Sequence, residues 1–420
     1  MELLLLDDAL RSVEVIDNFE SLIWTERFNE NGDFEMLIVS TNQTRSWLVE
    51  GVKCTVAGSY YVMTIETVEK TVDSDGRSML KVSGYSLEAM LKDRVAKHTL
   101  SNLTTEPYWV ISDTPGGIMK TIFNAICIDG DLDSGDIIPY IQEGELLVTP
   151  GSWYSLPDDL YWDDAVGIWE DGYAGYTPGG SGDTGDEITV SLKPGSVYDA
   201  FRSICQVYGI GFRLIRNGEE SELYFEVYEG FDRTIGQDDL PPVVFSIDMD
   251  NLSDSSEFNS LSGSKNVAYV FSTNGYAVVY APGVDPAVAG FQRRVLMVDA
   301  SDVDMAAGAP LTDLLNQRGL AALGENKQVA AFDGEISKFG PYRYGIDYFL
   351  GDVITVENSD GVNTKMRVTE QILVHDTQGE RSYPTLVQDV TVDPGSWYSL
   401  PSYLEWPDAV GVWGDAHYDP

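Results

Sequence analysis

Leu22-Ile23-Trp24-Thr25-Glu26-Arg27-Phe28, then Asn29-Glu30-Asn31-Gly32, then Phe34-Glu35-Met36-Leu37-Ile38-Val39 is the stretch that decides the fold class. The first and third segments alternate in polarity and are rich in β-branched and aromatic residues. Such a pattern suits a strand, whose successive side chains point to opposite faces. The polar Asn/Gly segment between them reads as a turn, so the whole is a β-hairpin.

Similar signals surround it. Val13 to Phe19 reads as a strand, as do Tyr60 to Val68 and, after a polar turn at Asp73 to Gly76, Ser78 to Ser83. Ser86 is placed to cap a helix with Leu87, Met90, Leu91 and Val95 on one face. Residues 1–96 are therefore expected to form a first small antiparallel barrel with one helix attached.

The middle, 97–240, reads as mixed α/β. Pro115 can open a helix through Ile118, Ile122, Ala125 and Ile126. A Gly/Ser/Asp-rich run at 179–187 has linker composition. Ser196 caps a helix from Val197 to Val207, Gly209 ends it, and Ile210 to Ile215 pairs with Leu223 to Tyr228 across an Asn217-Gly218 turn. From 241 to 391 the β pattern returns: Val243 to Ile247, Asn266 to Ser272, Tyr276 to Tyr280, Arg293 to Val298, Val329 to Ile336, Asp352 to Val356 and Lys365 to Val374. One helix, Leu311 to Leu323, interrupts it. The expected class is β-rich α+β and multidomain, with two tube-like antiparallel β-barrel modules, an intervening α/β region and a C-terminal tail at 392–420.

One ten-residue stretch recurs with a single change: Val148-Thr-Pro-Gly-Ser-Trp-Tyr-Ser-Leu-Pro157 and Val392-Asp-Pro-Gly-Ser-Trp-Tyr-Ser-Leu-Pro401. The likeness runs on to Trp169 and Trp413, with 16 of 22 positions identical. Two copies do not make a solenoid. The kept residues are mostly Trp, Tyr, Leu, Pro and Gly, which shape an aromatic surface rather than run chemistry. Trp153, Tyr154, Trp162 and Trp169, with Trp397, Tyr398, Trp406 and Trp413, are the partner-docking candidates. Packing on the chain's own body and stacking on a sugar are the alternatives.

The 420 residues carry 26 Lys+Arg against 68 Asp+Glu, a formal net charge of −42. Stable nucleic-acid binding needs a basic surface, and docking on an anionic membrane needs cations; this chain is built against both. Cys54, Cys127 and Cys205 are odd in number and far apart, with no CxxC pair, so neither a disulfide framework nor a zinc ribbon is indicated. Met1 to Leu6 is too short for a signal peptide or a membrane span.

Catalytic signatures are absent: no HExxH, GxSxG or GxxxxGK occurs, and the only histidines are His98, His375 and His417. No catalytic residue and no cofactor is expected. Asp129, Asp131 and Asp133 resemble the start of a calcium loop, but an EF-hand needs Gly at position 6 and Glu at 12, where Ser134 and Tyr140 stand. A looser calcium site there is the alternative to a solvated acidic loop.

Six segments in order resemble the siphophage minor tail proteins that build the tail-tip or baseplate hub, also called tail-associated proteins. They are Phe19 to Glu35, Val82 to Arg94, Phe225 to Thr234, Pro242-Val-Val-Phe-Ser246, Lys265-Asn-Val-Ala-Tyr-Val270 and Asp347-Tyr-Phe-Leu-Gly-Asp-Val353. The resemblance implies two tube-like modules and a homotrimeric ring that continues the tail tube at the tail tip of the virion. It also implies assembly in the host cytoplasm beside the distal tail protein, the tape measure protein and tip or fibre proteins, with transient passage of DNA. Some members carry a C-terminal lysin domain, for which 392–420 is too short. A carbohydrate-binding tail protein using the Trp-rich copies, or a cell-wall hydrolase, are the rival readings.

Overall fold

The computed structural model describes residues 1–420 except 73–75, 107, 143–160, 164–167, 171–186, 218–221, 238–239, 302, 304–309, 327–328, 337–340, 358–362 and 389–420; for 142, 161–163, 168–170, 253–259 and 329–336 it describes the backbone. The chain opens with strands β1 (Leu3–Leu6), β2 (Ser12–Ile16), β3 (Ser21–Arg27) and β4 (Asp33–Val39), a short helix α1 (Asn42–Trp47), and strands β5 (Lys53–Val56), β6 (Met63–Val72) and β7 (Ser78–Ser86). The opening hairpin is β3–β4. Leu22 and Trp24 are fully buried, Ile23 between them is exposed, and Trp24 lies opposite Phe34 with ring centroids 5.8 Å apart. Each such burial stabilises the fold by roughly 1.5–3 kcal/mol. Met1 to Leu6, outside every expected strand, supplies β1, which pairs with both β2 and β5.

The Ser86 helix differs from expectation. Leu87–Asp93 is a 3-10 helix, and Ser86 makes no side-chain capping bond. Glu88 is drawn inward, where its Oε1 accepts the Leu214 backbone N–H at 2.7 Å. Val95 leaves the helix and bridges Ser196, so it does not extend the apolar face.

The middle region holds β8 (Trp109–Asp113), α2 (Pro115–Phe123), β9 (Ile141–Gln142), β10 (Tyr161–Asp163), β11 (Ile168–Glu170), β12 (Ile188–Leu192), α3 (Val197–Tyr208), β13 (Gly211–Asn217) and β14 (Glu222–Tyr228). Thr114 caps α2, whose last turn widens into a π-helix over Asn124–Ile128. Ser196 caps α3, and Gly209 at φ 70° ends it, a backbone geometry that a side chain disfavours. Val197, Phe201, Ile204 and Cys205 of α3 face one apolar core with the β13–β14 hairpin. Phe123 stacks on Phe225 at 4.0 Å, and Phe201 lies 5.6 Å from Phe212.

The last region contains β15 (Asp232–Arg233), β16 (Val244–Ser246), β17 (Leu252–Ser260), β18 (Val267–Ser272), β19 (Gly275–Tyr280), β20 (Val295–Asp299), α4 (Leu311–Glu325), β21 (Val329–Ile336), β22 (Val353–Glu357), β23 (Asn363–Asp376) and β24 (Gly379–Gln388). Strands β19, β18 and β20 form a separate three-stranded sheet in that order, with α4 against one face.

Neither expected barrel closes as a sheet of its own among the described residues. Strands from both ends of the chain share one 14-stranded sheet, ordered β17-β21-β24-β23-β3-β4-β7-β6-β5-β1-β2, with β22 bridging β23 to β15 and β16. The cause is the length of β23. It has 14 residues: along one edge its first part pairs with β22 and its second part, from Glu370 to His375, pairs with β3. Its other edge carries β24. One long strand thus joins the chain's beginning to its end.

Candidate functional site: the polar seam and the free surfaces of the shared sheet

Three buried clamps lie where the sheet regions and the middle meet. The first is Glu26, only 2% exposed. Its carboxylate accepts Trp24 Nε1 at 2.9 Å, Ser59 Oγ at 2.6 Å and the Tyr344 hydroxyl at 2.6 Å. Burial pushes this carboxyl up, outweighing the hydrogen bonds that favour its charged form. Beside it, Arg27 contacts Asp33 and donates from Nε to Glu370 Oε2 at 2.6 Å.

The second clamp is Arg213. It donates from Nε at 2.8 Å and from Nη2 at 2.7 Å to Glu226 Oε2, and its guanidinium lies 4.4 Å from the Tyr228 ring centroid. Burial alone would lower this guanidinium's pKa; the Glu226 carboxylate reverses that, and the net direction is up.

The third is Asp352, 1% exposed. It accepts the backbone N–H of Phe231 at 2.9 Å, that of Phe349 at 3.0 Å and Arg233 Nε at 2.8 Å. Burial pushes its carboxyl up against the pull of Arg233. Here Gly230, at φ +79°, passes so close to Gly351 that a Cβ would lie 2.1 Å from the Gly351 carbonyl carbon.

These clamps orient; they do not supply a nucleophile. A buried charge is tolerated when paired and hydrogen-bonded, as Arg213 is with Glu226 and Asp352 with Arg233, while Glu26 is held by three hydrogen bonds from neutral donors. The three thiols sit in apolar cores, and burial raises all of them, Cys127 to about 12. A thiol so placed stays protonated at neutral pH and attacks nothing. His98 lies against Trp109 with centroids 5.0 Å apart, and His375 against Phe19 at 5.1 Å.

Of the docking candidates, Trp162 and Trp169 fall on β10 and β11, which pair antiparallel with those two residues opposite each other. Trp153, Tyr154, Trp397, Tyr398, Trp406 and Trp413, and also His417, lie outside the described residues. Asp133 turns its side chain onto its own loop, accepting Gly135 N–H at 2.7 Å. Among the described residues no three His, Cys, Asp or Glu side chains, those of Asp129, Asp131 and Asp133 included, are grouped to hold a metal ion.

The seam residues were missed in the sequence, although one signal was present. Leu22, Trp24 and Glu26 share one face of β3, so the alternation that buries the first two also buries the third. Arg213 and Glu226 face each other across the expected β13–β14 hairpin, so their pairing follows from that hairpin's register, whereas nothing local marks Asp352, whose partner Arg233 lies 119 residues away.

Two free surfaces complete the picture. The long sheet ends at β2 on one side, where Val13 is 60% and Val15 48% exposed, and at β17 on the other. The small sheet has a second face, opposite α4, that bears Tyr269, Phe271, Tyr276, Val278 and Met297.

A family model described as Siphovirus ReqiPepy6 Gp37-like protein matches residues 2–386. The chain belongs to this family. Membership in this siphovirus tail-protein family is what the resemblance of the six segments implied. The Gp37-like chain shares its fold with the 43 kDa tail protein of prophage MuSo2 from Shewanella oneidensis, at TM-score 0.52 and 12% identity over 92% of this chain and 98% of that one. A tail protein from Neisseria meningitidis MC58 is also similar, at TM-score 0.49 and 13% identity, covering 92% and 96% of the two chains. No curated protein matches this Gp37-like chain.

Proposed function

We propose that this tail protein is the non-enzymatic hub of a phage tail tip. Three copies close into a ring that continues the tail tube, joins the distal tail protein to tip or fibre proteins, and lines the path by which DNA leaves. Strands of 1–96 and of 241–391 supply the two tube-like modules of each copy, with the mixed region 97–240 outside them. The observation that carries this reading is the single sheet running through both ends of the chain, whose edges at β2 and β17 have no strand partner among the described residues.

An open sheet exposes backbone donors and acceptors that invite further strands. Pairing β2 of one copy with β17 of the next uses both edges, and a threefold rotation leaves none free. The net charge of −42 suits a wall past which DNA slides without binding. No described group adds chemistry to this role. The Trp-rich copies are the chain's docking elements.

Mass measurement of isolated tail tips tests the ring: three copies per particle are expected, and one or six would reject it. Imaging of the particle tests position, and a site remote from the tip would reject the hub role.

A further inference from the structure

The second face of the small sheet is covered at one end, where Val267 is fully buried, and open at the other. On β18, Ala268 and Val270 point to α4, and Gly319 of α4 lies so close that a Cβ there would meet Val279 Cγ2 at 2.5 Å. The alternate residues point the other way. Phe271 is 45% exposed, Tyr276 72% and Met297 70%. By register Phe271 stands between Tyr276 and Asp299, and Tyr269 between Val278 and Met297, so the five apolar side chains form one patch with the Asp299 carboxylate at its rim, at the end away from Lys265, Arg293 and Arg294. A contiguous patch of this kind on a charged chain marks an interaction site.

One end of this face is cationic, which is unusual in a chain so acidic. Lys265 leads into β18, and Arg293 and Arg294 lead into β20, paired with it in parallel. The Arg293 guanidinium lies 5.7 Å from the ring centroids of both Tyr269 and Tyr280. Arg294 Nη1 donates to the Leu261 carbonyl at 2.6 Å, in the turn between β17 and β18. The face therefore asks for a segment that is aromatic and acidic.

The chain's own end supplies one at the right place. In the long sheet Val387 pairs with Ala331, and Ala331 pairs with Phe258. Gln388, where β24 ends, thus lies two strand spacings from β17, about 10 Å. Leu261, which Arg294 holds, follows β17 directly. The nine residues from Gln388 to Trp397 reach up to about 30 Å when extended. Residues 389–420 carry Asp389, Asp393, Glu405, Asp408, Asp415 and Asp419 and no Lys or Arg.

We propose that the second Trp-rich copy docks on the β18–β19–β20 face of its own subunit, its tryptophans against Phe271, Tyr276 and Met297 and its carboxylates toward Lys265, Arg293 and Arg294. The inference takes the second copy to pack on the chain's own body rather than on a partner, and it is independent of the trimeric ring. A copy number other than three would remove the ring and leave this contact standing.

Engineered cysteines in the full-length chain test it, because all three native thiols are buried. The double variant Met297→Cys, Tyr398→Cys, oxidised with copper phenanthroline in dilute solution, is expected to give an internally crosslinked monomer. A covalent dimer alone would overturn docking within one subunit and assign the face to a second copy; no crosslink would overturn docking altogether. Thiol labelling of the single variant Met297→Cys gives an independent measure. Adding Trp397→Ala and Trp413→Ala should speed labelling at least about tenfold, the ratio that ~1.4 kcal/mol of docking produces. An unchanged rate would mean the face is open in the free chain and would reject the proposal.

Discussion

Arg27 and Glu370 are separated by 343 residues of chain yet stand directly opposite each other in the sheet, joined by a 2.6 Å hydrogen bond from Nε to Oε2. The pair marks the register at which β3 meets β23, and so the joint between the chain's beginning and its end. A slip of one residue would turn every side chain of β3 to the wrong face. A charge pair that is satisfied in only one register guards against that slip.

Glu370→Gln should therefore lower stability by about 1 kcal/mol, since both partners are partly solvated and screening reduces the pair's worth. Thermal denaturation reads the change. A melting temperature equal to that of the parent chain would show that the pair is ornamental to the joint.

The Glu26 carboxyl gives a pH dependence with a defined sign. Burial raises its folded pKa above the ordinary 4.5. Its contribution to stability is thus complete below that value and declines as pH rises through the folded value. Stability should fall as pH rises from the ordinary carboxyl value through the raised folded one, and Glu26→Gln, which stays neutral, should make the slope there shallower. Glu88 and Asp352 are shifted in the same direction and keep part of the slope. Denaturant midpoints at several pH values test this, and a slope identical in the Gln variant would refute the assignment.

Gly230 fixes the approach of the middle region to the turn before β22. With φ +79° and Gly351 at 2.1 Å from a virtual Cβ, Gly230→Ala should cost at least about 1–3 kcal/mol from backbone strain alone. Urea unfolding measures it. A variant as stable as the parent would mean that the two turns separate freely.

What the sequence revealed and concealed divides along physical lines. The β3–β4 hairpin, α3 with its Ser196 cap and Gly209 stop, and the α4 helix were all legible, because each is specified by spacing within a few residues. The Ser86 segment misled, because apolar residues at helical spacing do not distinguish an α-helix from a 3-10 turn that pulls Glu88 inward. The shared sheet was concealed for a different reason. Strand pairing between β3 and β23 is decided by packing across the whole chain, and no local pattern carries it. The seam was concealed with it: Glu26 meets Tyr344, and Arg233 meets Asp352, only after the strands have paired.

The last prediction concerns the edges from which the ring is proposed to be built. Val13 and Val15 on β2 are exposed, so nothing among the described residues covers these apolar side chains at the edge. Proteins that keep edge strands free usually protect them with charge, above all lysine. An apolar edge is what a strand needs if a neighbour is to cover it. Val13→Lys with Val15→Lys leaves the buried residues of β1 and β5 untouched, and surface changes of this kind alter stability by about 0.5 kcal/mol or less. The isolated chain should melt as before. Its incorporation into tail tips should fail, because two lysines now sit where the next copy's β17 would pair. Particles that take up the variant at three copies each would show that the ring closes through another surface, whereas a variant that no longer folds would show that Val13 and Val15 belong to the subunit's own core.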